Sequence, residues 1–267
     1  MLNMNSILKG ILVLCSAFLM MFVDTNTMYS QVIMPGEELL YEVSYMGITL
    51  GSIKVVTLKN EIFDGKNVYH SKIYIDSRKG IPFIDLHSIY ESWIDQSITF
   101  SHNFTANTKE SDGTWSYDKY MFDYPKQTLT MEKYKKEKLA EKRVFSTPKK
   151  WNDGSSLYFL ARQLLKSKKS IKVPTVIMDD TVSTSINFLA KEENIEINAS
   201  SYPIKTLYFN GTANWTGIYG LTGKFEGWFS DDEARIPVKA KMKLYVGNAN
   251  IELVKWSRGN WQPPKAD

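Results

Sequence analysis

Few residues in this 267-residue sequence are of a type that does chemistry, so their spacing decides what they can do. The three histidines are His70, His87 and His102. Metal sites draw on His, Cys and carboxylates at close spacing. No histidine pair here falls at i, i+2 or i, i+4, and no HExxH run occurs. His102 shares strand parity with Phe100 and Phe104, which marks it as a histidine at the core or its boundary. No metal site and no cofactor are expected. Glu91, Asp95 and the Asp231-Asp232-Glu233 group could supply the paired carboxylates of a glycosidase, which stand roughly 5–10 Å apart. Trp93 lies on the same strand face as Glu91, and desolvation by its ring would raise that carboxyl's pKa. Against this, Glu91 also reads as a solvent-facing residue, and residues 230–233 as a turn. Gly154-Ser155-Ser156 lacks the GxSxG form of a nucleophile elbow, and no glycine-rich phosphate loop is present. No catalytic residue is assigned.

The aromatic residues are a better lead. Trp228 stands on the parity of Thr222, Lys224 and Glu226, the polar face of its strand. A tryptophan there either offers a stacking platform to a sugar or lipid group or covers a sheet edge. Tyr208 and Tyr245 share the polar-face parity, so Trp228, Tyr208 and Tyr245 are the candidate ligand-binding residues. If the sheet closes into a barrel, that face becomes the lumen and these residues line a pocket.

The elements that must position them are mostly strands. From Val238 to Val246, even positions are apolar (Val238, Ala240, Met242, Leu244, Val246), while Lys239, Lys241, Lys243 and Tyr245 fill the odd ones. That period of two predicts a strand with one dry face. Leu221 to Phe229 alternates likewise, and the acidic link 230–235 joins the two runs as an antiparallel pair. Upstream, alternating runs recur every 10–15 residues between turn signals such as Asp64-Gly65. Separate strands are read over 181–191 and 193–199. One helix is expected over about 155–168. Leu157, Leu160, Ala161, Leu164 and Leu165 make a single apolar stripe, and Asn152 and Asp153 can cap its start. It divides a first β half (36–148, with the helical segment at 153–169) from a second (171–256). The fold class is therefore mostly β, an antiparallel curved sheet or incompletely closed β-barrel with one amphipathic helix.

Residues 1–30 read as an export signal. Lys9 is the only charge before an apolar run from Ile11 to Val23, which is shorter than the roughly 20 residues a spanning helix needs. Retention as a membrane anchor is the alternative. Cys15, the only cysteine, follows Leu14 rather than the small residue that lipid attachment wants, and its loss with the signal would leave no thiol. Residues 31–267 then form a single β-rich domain. The net charge of +4 is unchanged without Lys9 and Asp24. A nucleic-acid binder would usually show a larger, clustered excess, so none is expected. The Lys133–Lys150 stretch is locally basic but interleaved with Glu132, Glu137 and Glu141. It reads as a solvated hairpin or as a contact for an anionic membrane surface or glycan.

Several pieces occur in a characteristic order: Pro35-Gly36-Glu37-Glu38-Leu39 with Tyr41, Tyr45, Gly47 and Gly51, then Tyr90, Ser92 and Asp95. Asp153, Leu157, Tyr158 and Arg162 follow. Phe229, Ser230, Asp232, Arg235, Pro237 and Val238 come next, before Gly247 and Glu252-Leu253. In that order they resemble the bacterial exported family catalogued as domain of unknown function 3108. The resemblance implies a β-rich fold and an envelope location, periplasmic or outer-membrane associated, and carries no site residue. The resulting expectation is a non-enzymatic cell-envelope protein binding a lipid-like or glycan ligand in the concave side of the sheet. A glycan-directed hydrolase and a structural or assembly component with an envelope protein partner are the alternatives.

Overall fold

The structure, a computed structural model, describes residues 32–81, 85–177, 180–216, 222–244 and 246–267. The export signal expected over residues 1–30 lies outside the described residues. Val32–Asp267 makes one compact unit. Its described strands are β1 (Glu38–Tyr45), β2 (Ile48–Phe63), β3 (Lys66–Ser77), β4 (His87–Asp95), β5 (Ser101–Lys109), β6 (Trp115–Asp123), β7 (Thr128–Lys135) and β8 (Lys138–Ser146). The helix α1 (Gly154–Leu164) follows, then β9 (Ser170–Ile177), β10 (Asp180–Ile195), β11 (Ile204–Thr216), β12 (Thr222–Ser230), β13 (Pro237–Lys243) and β14 (Asn248–Ser257).

All fourteen strands belong to one antiparallel sheet, ordered β8-β7-β6-β5-β4-β3-β2-β1-β14-β13-β12-β11-β10-β9. Each strand pairs with its sequence neighbour, except that β1 also pairs with β14, so the two ends of the domain meet in mid-sheet. The open edges of the ladder are therefore β8 and β9, the strands on either side of α1. The tight hairpins follow from turn chemistry. Met46-Gly47 and Asp64-Gly65 are two-residue loops with positive φ at both positions, which matches the twist of the strands they join.

Alternation sets the faces. Leu39, Tyr41 and Val43 of β1 are buried, as are Leu207, Phe209 and Ala213 of β11, while their neighbours point outward. Gly211 pairs with Phe225, and Gly227 with Phe209. In each case the phenylalanine ring folds over the glycine, where a Cβ would collide with it. The dry face expected over 238–246 holds at Val238 but fades, because β13 ends at Lys243 and Val246 is exposed. The two strands expected over 181–191 and 193–199 are one strand, β10. A register shift between Phe188 and Lys191, with Ala190 at φ 49°, breaks the alternation without ending the ladder.

The sheet curls round α1, and its ends are joined by something other than a ladder. The Ser101 N–H donates to the Trp151 carbonyl (2.9 Å), while Asn152 bonds Pro174 and Val176 of β9 at 3.0 and 2.8 Å. Trp151-Asn152 thus spans the seam between β5 and β9. Trp151 and Val176 pack on the inner face of β5–β7 through Phe104, Tyr120, Phe122, Leu129 and Met131, so β6–β8 run on past the seam as an overlapping flap. Asp153 caps α1, its carboxylate accepting from the Ser155 and Ser156 N–H groups and from the Ser92 and Ser101 hydroxyls. The helix ends at Leu164, short of the expected residue 168, where Lys168 adopts a positive φ.

Among the described residues, α1 packs onto the concave face of the sheet. Phe159 of α1 lies among Leu39, Tyr41, Ile73, Ile204, Ile236 and Leu253, and Ala161 and Leu165 pack on the Phe188–Phe209–Phe229 cluster. A charged centre interrupts this core. Arg162 of α1, fully buried, donates two hydrogen bonds to the Glu37 carboxylate at 2.6 and 3.0 Å and a third to the Ala234 carbonyl at 2.9 Å. Arg258, just past β14, pairs with the same carboxylate. Glu37 therefore ties the start of β1 to the helix and to the end of β14.

Candidate functional site

Outside this packed core, the outer face of the sheet is a surface available to act. Cross-strand register lays a continuous outward row over eight adjacent strands: Tyr208, Trp228, Lys239, Glu252, Glu42, Ser52, Asp76 and His87. The structure thus brings two of the predicted ligand residues together. Tyr208 and Trp228 pair across β11 and β12 with ring centroids 5.4 Å apart. Tyr245 lies outside the described residues. The Trp228 indole faces outward as its parity predicts, but it is only 7 % exposed. Its N–H donates to Glu193 (2.6 Å), and Lys241 lies over the ring 5.5 Å from its centroid. Tyr208 donates to Glu226 at 3.0 Å. Both aromatics are therefore engaged by their neighbours, and the pair closes this stretch of sheet more than it opens it.

Further along the same row the surface dips. A depression of about 310 Å³ opens between β14, β1, β2 and β3, lined by Leu40, Val254, Glu42, Ser52, Asp76 and Arg78 among others. It lies three strands from Trp228, about 14 Å at a spacing of about 4.8 Å. Leu40 alternates with the core residues Leu39 and Tyr41, and Asp76 follows the core residue Ile75, which fixes the outward direction of both. Leu40 and Val254 supply an apolar floor. Asp76 is held by His87, whose other ring nitrogen reaches Asp85, at 2.8 and 3.1 Å. Glu42 and Arg78 have no ion-pair partner among the described residues, which leaves one carboxylate and one guanidinium available at the rim.

A family model described as a protein of unknown function, DUF3108, matches residues 40–254. The chain belongs to this family. Among solved structures it is similar to the crystal structure of a β-barrel-like protein of domain of unknown function DUF1849 from Brucella abortus. The two share 10 % identity at a TM-score of 0.56, over 85 % of this chain and 98 % of that one. At that identity the likeness speaks for the fold alone. No curated protein matches the chain.

The carboxylates considered for hydrolysis are not brought together in this DUF3108 chain. Glu91 lies on β4, five strands from the turn after β12. Both its oxygens are occupied, by His70 Nε2 and Lys72 Nζ at 3.0 Å each. Asp231 pairs with Lys166 (3.2 Å). Asp232 accepts from the Ser230 hydroxyl, the Arg235 N–H and the Trp261 indole at 2.8, 2.9 and 2.6 Å. The turn reading of residues 230–233 describes them better. Among the described residues no group of three His, Cys, Asp or Glu side chains is arranged to hold a metal ion, and no helix is long and apolar enough to cross a membrane.

Sequence reasoning missed two clusters. On the outer face, His70 stacks on Trp93 (4.4 Å) between Glu61 and Glu91, and the Trp93 indole donates to Glu61. The Lys59 ammonium, with help from Trp93 and His70, holds the Glu61 carboxyl below its usual range. These residues alternate on neighbouring strands, so only the β3–β4 register could have joined them. The other cluster is the Glu37 centre, where burial, with the Glu37 charge and against Arg162, pushes the Tyr158 hydroxyl well above the usual tyrosine range. At Asp95 burial acts upward, but the Ser97 and His102 hydrogen bonds outweigh it and keep that carboxyl low. His102 is buried beside it at 2.9 Å, the boundary position its parity predicts, and burial lowers its pKa.

Proposed function

We propose that this protein is an exported, non-enzymatic envelope protein that binds a glycan in the outer-face depression between β14 and β3. The observation that carries the reading is the pairing of an apolar floor with a free carboxylate and a free guanidinium at its rim. A sugar ring presents C–H groups on one face and hydroxyls at its edge, which suits Leu40 and Val254 below and Glu42, Asp76 and Arg78 around. A lipid-like tail would leave those charged groups desolvated and unpaired, so the glycan is the better fit of the two ligand classes. Support for export comes from Lys9 followed by the apolar Ile11–Val23 run.

The test is titration of the purified protein against a panel of envelope polysaccharide fragments, read by calorimetry. Arg78→Ala and Glu42→Ala should each weaken binding about 10- to 100-fold, the range for a lost hydrogen bond to a charged group, with melting temperature unchanged. Trp228→Phe should bind as the parent does. Absence of binding by the parent, or binding as tight as the parent's by both rim variants, would refute the site.

A further inference from the structure

The β7–β8 ribbon stands apart from that depression, and its charge is out of proportion to its length. Between Lys133 and Lys150 there are eight lysines and arginines against two glutamates, a local +6 in a chain of net +4. The remainder of the chain therefore sums to −2. Over the β7–β8 hairpin itself, residues 128–146, six lysines and arginines stand against three glutamates, a local +3 in the chain's net +4. Part of it is neutralised locally: Lys142 pairs with Glu132 (2.8 Å) and Arg143 with Glu141 (3.0 Å). The tip is not. Lys135 and Lys138 oppose each other across the ribbon, have no ion-pair partner among the described residues, and flank Lys136, whose nearest carboxylate is Asp112 at 3.9 Å. Like charges directly opposite each other destabilise a strand pair.

The turn itself points the same way. Lys136 and Glu137 have φ values of 48° and 62°, the two-residue geometry that Asp64-Gly65 adopts with a glycine. Such loops favour Asn-Gly or Asp-Gly, so a lysine and a glutamate here keep their side chains against local preference. Lysines on an edge strand also guard against edge-to-edge pairing, and β8 has that need. That role explains charge along the edge but not charge at the tip beyond it. Nor does it explain the apolar residues beside the tip. Leu139 is 51 % exposed, and Trp115, one residue beyond the Ser116–Lys135 pair, is 45 % exposed. A tryptophan and a leucine among exposed lysines is the composition of a segment that settles at the boundary between lipid headgroups and acyl chains.

We propose that the β7–β8 tip docks on a bilayer surface bearing anionic lipids, with Lys135, Lys136 and Lys138 against the headgroups and Trp115 and Leu139 in the interface. The exposed apolar pair favours a bilayer over a soluble polyanion, which would leave it in water. The β8 edge is exposed along most of its length, so the tip can approach a plane without rearranging the sheet.

The experiment is co-sedimentation of the full chain with phosphatidylcholine vesicles, with and without phosphatidylglycerol. The apolar N-terminal run is common to every variant and cancels in the comparison. At roughly fivefold per lysine, replacing Lys135, Lys136 and Lys138 with glutamine should lower partitioning onto the anionic vesicles about 100-fold. Replacing them with arginine should restore it. Raising salt to about 1 M, where the Debye length is about 3 Å, should abolish the difference between parent and glutamine variant. Trp115→Ala with Leu139→Ser should weaken binding at unchanged charge. Of the five substituted side chains all but Lys136 lie on paired strands, so an unchanged thermal transition confirms that each variant is folded. Equal partitioning of parent and glutamine variant overturns the proposal. So does binding to a soluble polyanion such as heparin that is unaffected by Trp115→Ala with Leu139→Ser, together with no binding to anionic vesicles; that result assigns the tip to a polyanion instead.

Discussion

Replacing Glu37 with glutamine keeps the side chain's shape and removes one negative charge from a buried charged centre. The carboxylate accepts two hydrogen bonds from Arg162 and one from Arg258, and it is 1 % exposed. In the variant two guanidinium groups would share a neutral amide, and the amide's NH2 would turn a donor toward one of them. Removing one partner of a buried ion pair costs about 3–5 kcal/mol, because the orphaned charge remains out of water. With two cations left facing each other, the upper part of that range is expected. At about 2–4 °C per kcal/mol for a domain of this size, melting should fall by roughly 8–20 °C. Circular dichroism melts and urea titration measure this directly. A companion variant separates charge from packing: Glu37→Met with Arg162→Met and Arg258→Leu removes every charge at once and should recover most of the loss. A Glu37→Gln penalty below about 1 kcal/mol, or a triple variant as unstable as the single one, would refute the account of the centre as a mutually dependent ion cluster.

Two further predictions concern titrating groups. Burial raises the Asp153 carboxyl above its ordinary value, against the opposing hydrogen bonds from Ser101, Ser92, Ser156 and Ser155. Its stabilising share is therefore present below about pH 3.8 and lost as pH rises through the raised folded value. Asp153→Asn keeps an acceptor for the helix N–H groups and should cost under about 1 kcal/mol. Asp153→Ala removes the cap and strands two buried hydroxyls, for about 3 kcal/mol or more in urea unfolding. Equal losses for the two variants would count against the cap. His102 shifts the opposite way for a base: burial lowers its folded pKa, so the unfolded chain takes up a proton first. Stability should be full above about pH 6.5 and decline as pH falls toward the lower folded value. His102→Gln should flatten that slope in urea midpoints measured from pH 7 to pH 5; an unchanged slope removes His102 as its source.

The strand faces and tight turns were readable because both are local. Leu39-Tyr41-Val43 and Leu207-Phe209 announce their buried side by alternation, and Asp64-Gly65 announces its loop by the residues that tolerate positive φ. What alternation cannot say is what covers the outward side. Trp228 was placed on the right face, yet the residues that enclose it, Tyr208, Glu193 and Lys241, come from three other positions in the ladder. Glu37 is the extreme case. In sequence it is a polar residue before a strand, indistinguishable from Glu38, which is exposed. Its partners lie 125 and 221 residues away, so its burial is a property of the tertiary topology alone.

The same contrast tells where to look for function in a fold whose family assigns none. Local preference and global structure agree over most of this molecule, and where they disagree a compensation is usually visible. Arg162 is a charge in the core, and Glu37 answers it. The bulge at Ala190 bends a strand that the ladder then continues. The Lys136-Glu137 tip has no such answer: it holds two non-glycine residues at positive φ, opposes lysine to lysine, and exposes Trp115 and Leu139 beside them. Sequences that specify one structure keep such conflicts where something outside the fold resolves them. Under the docking proposed above, an anionic bilayer surface would answer the lysines and shelter the apolar side chains at once.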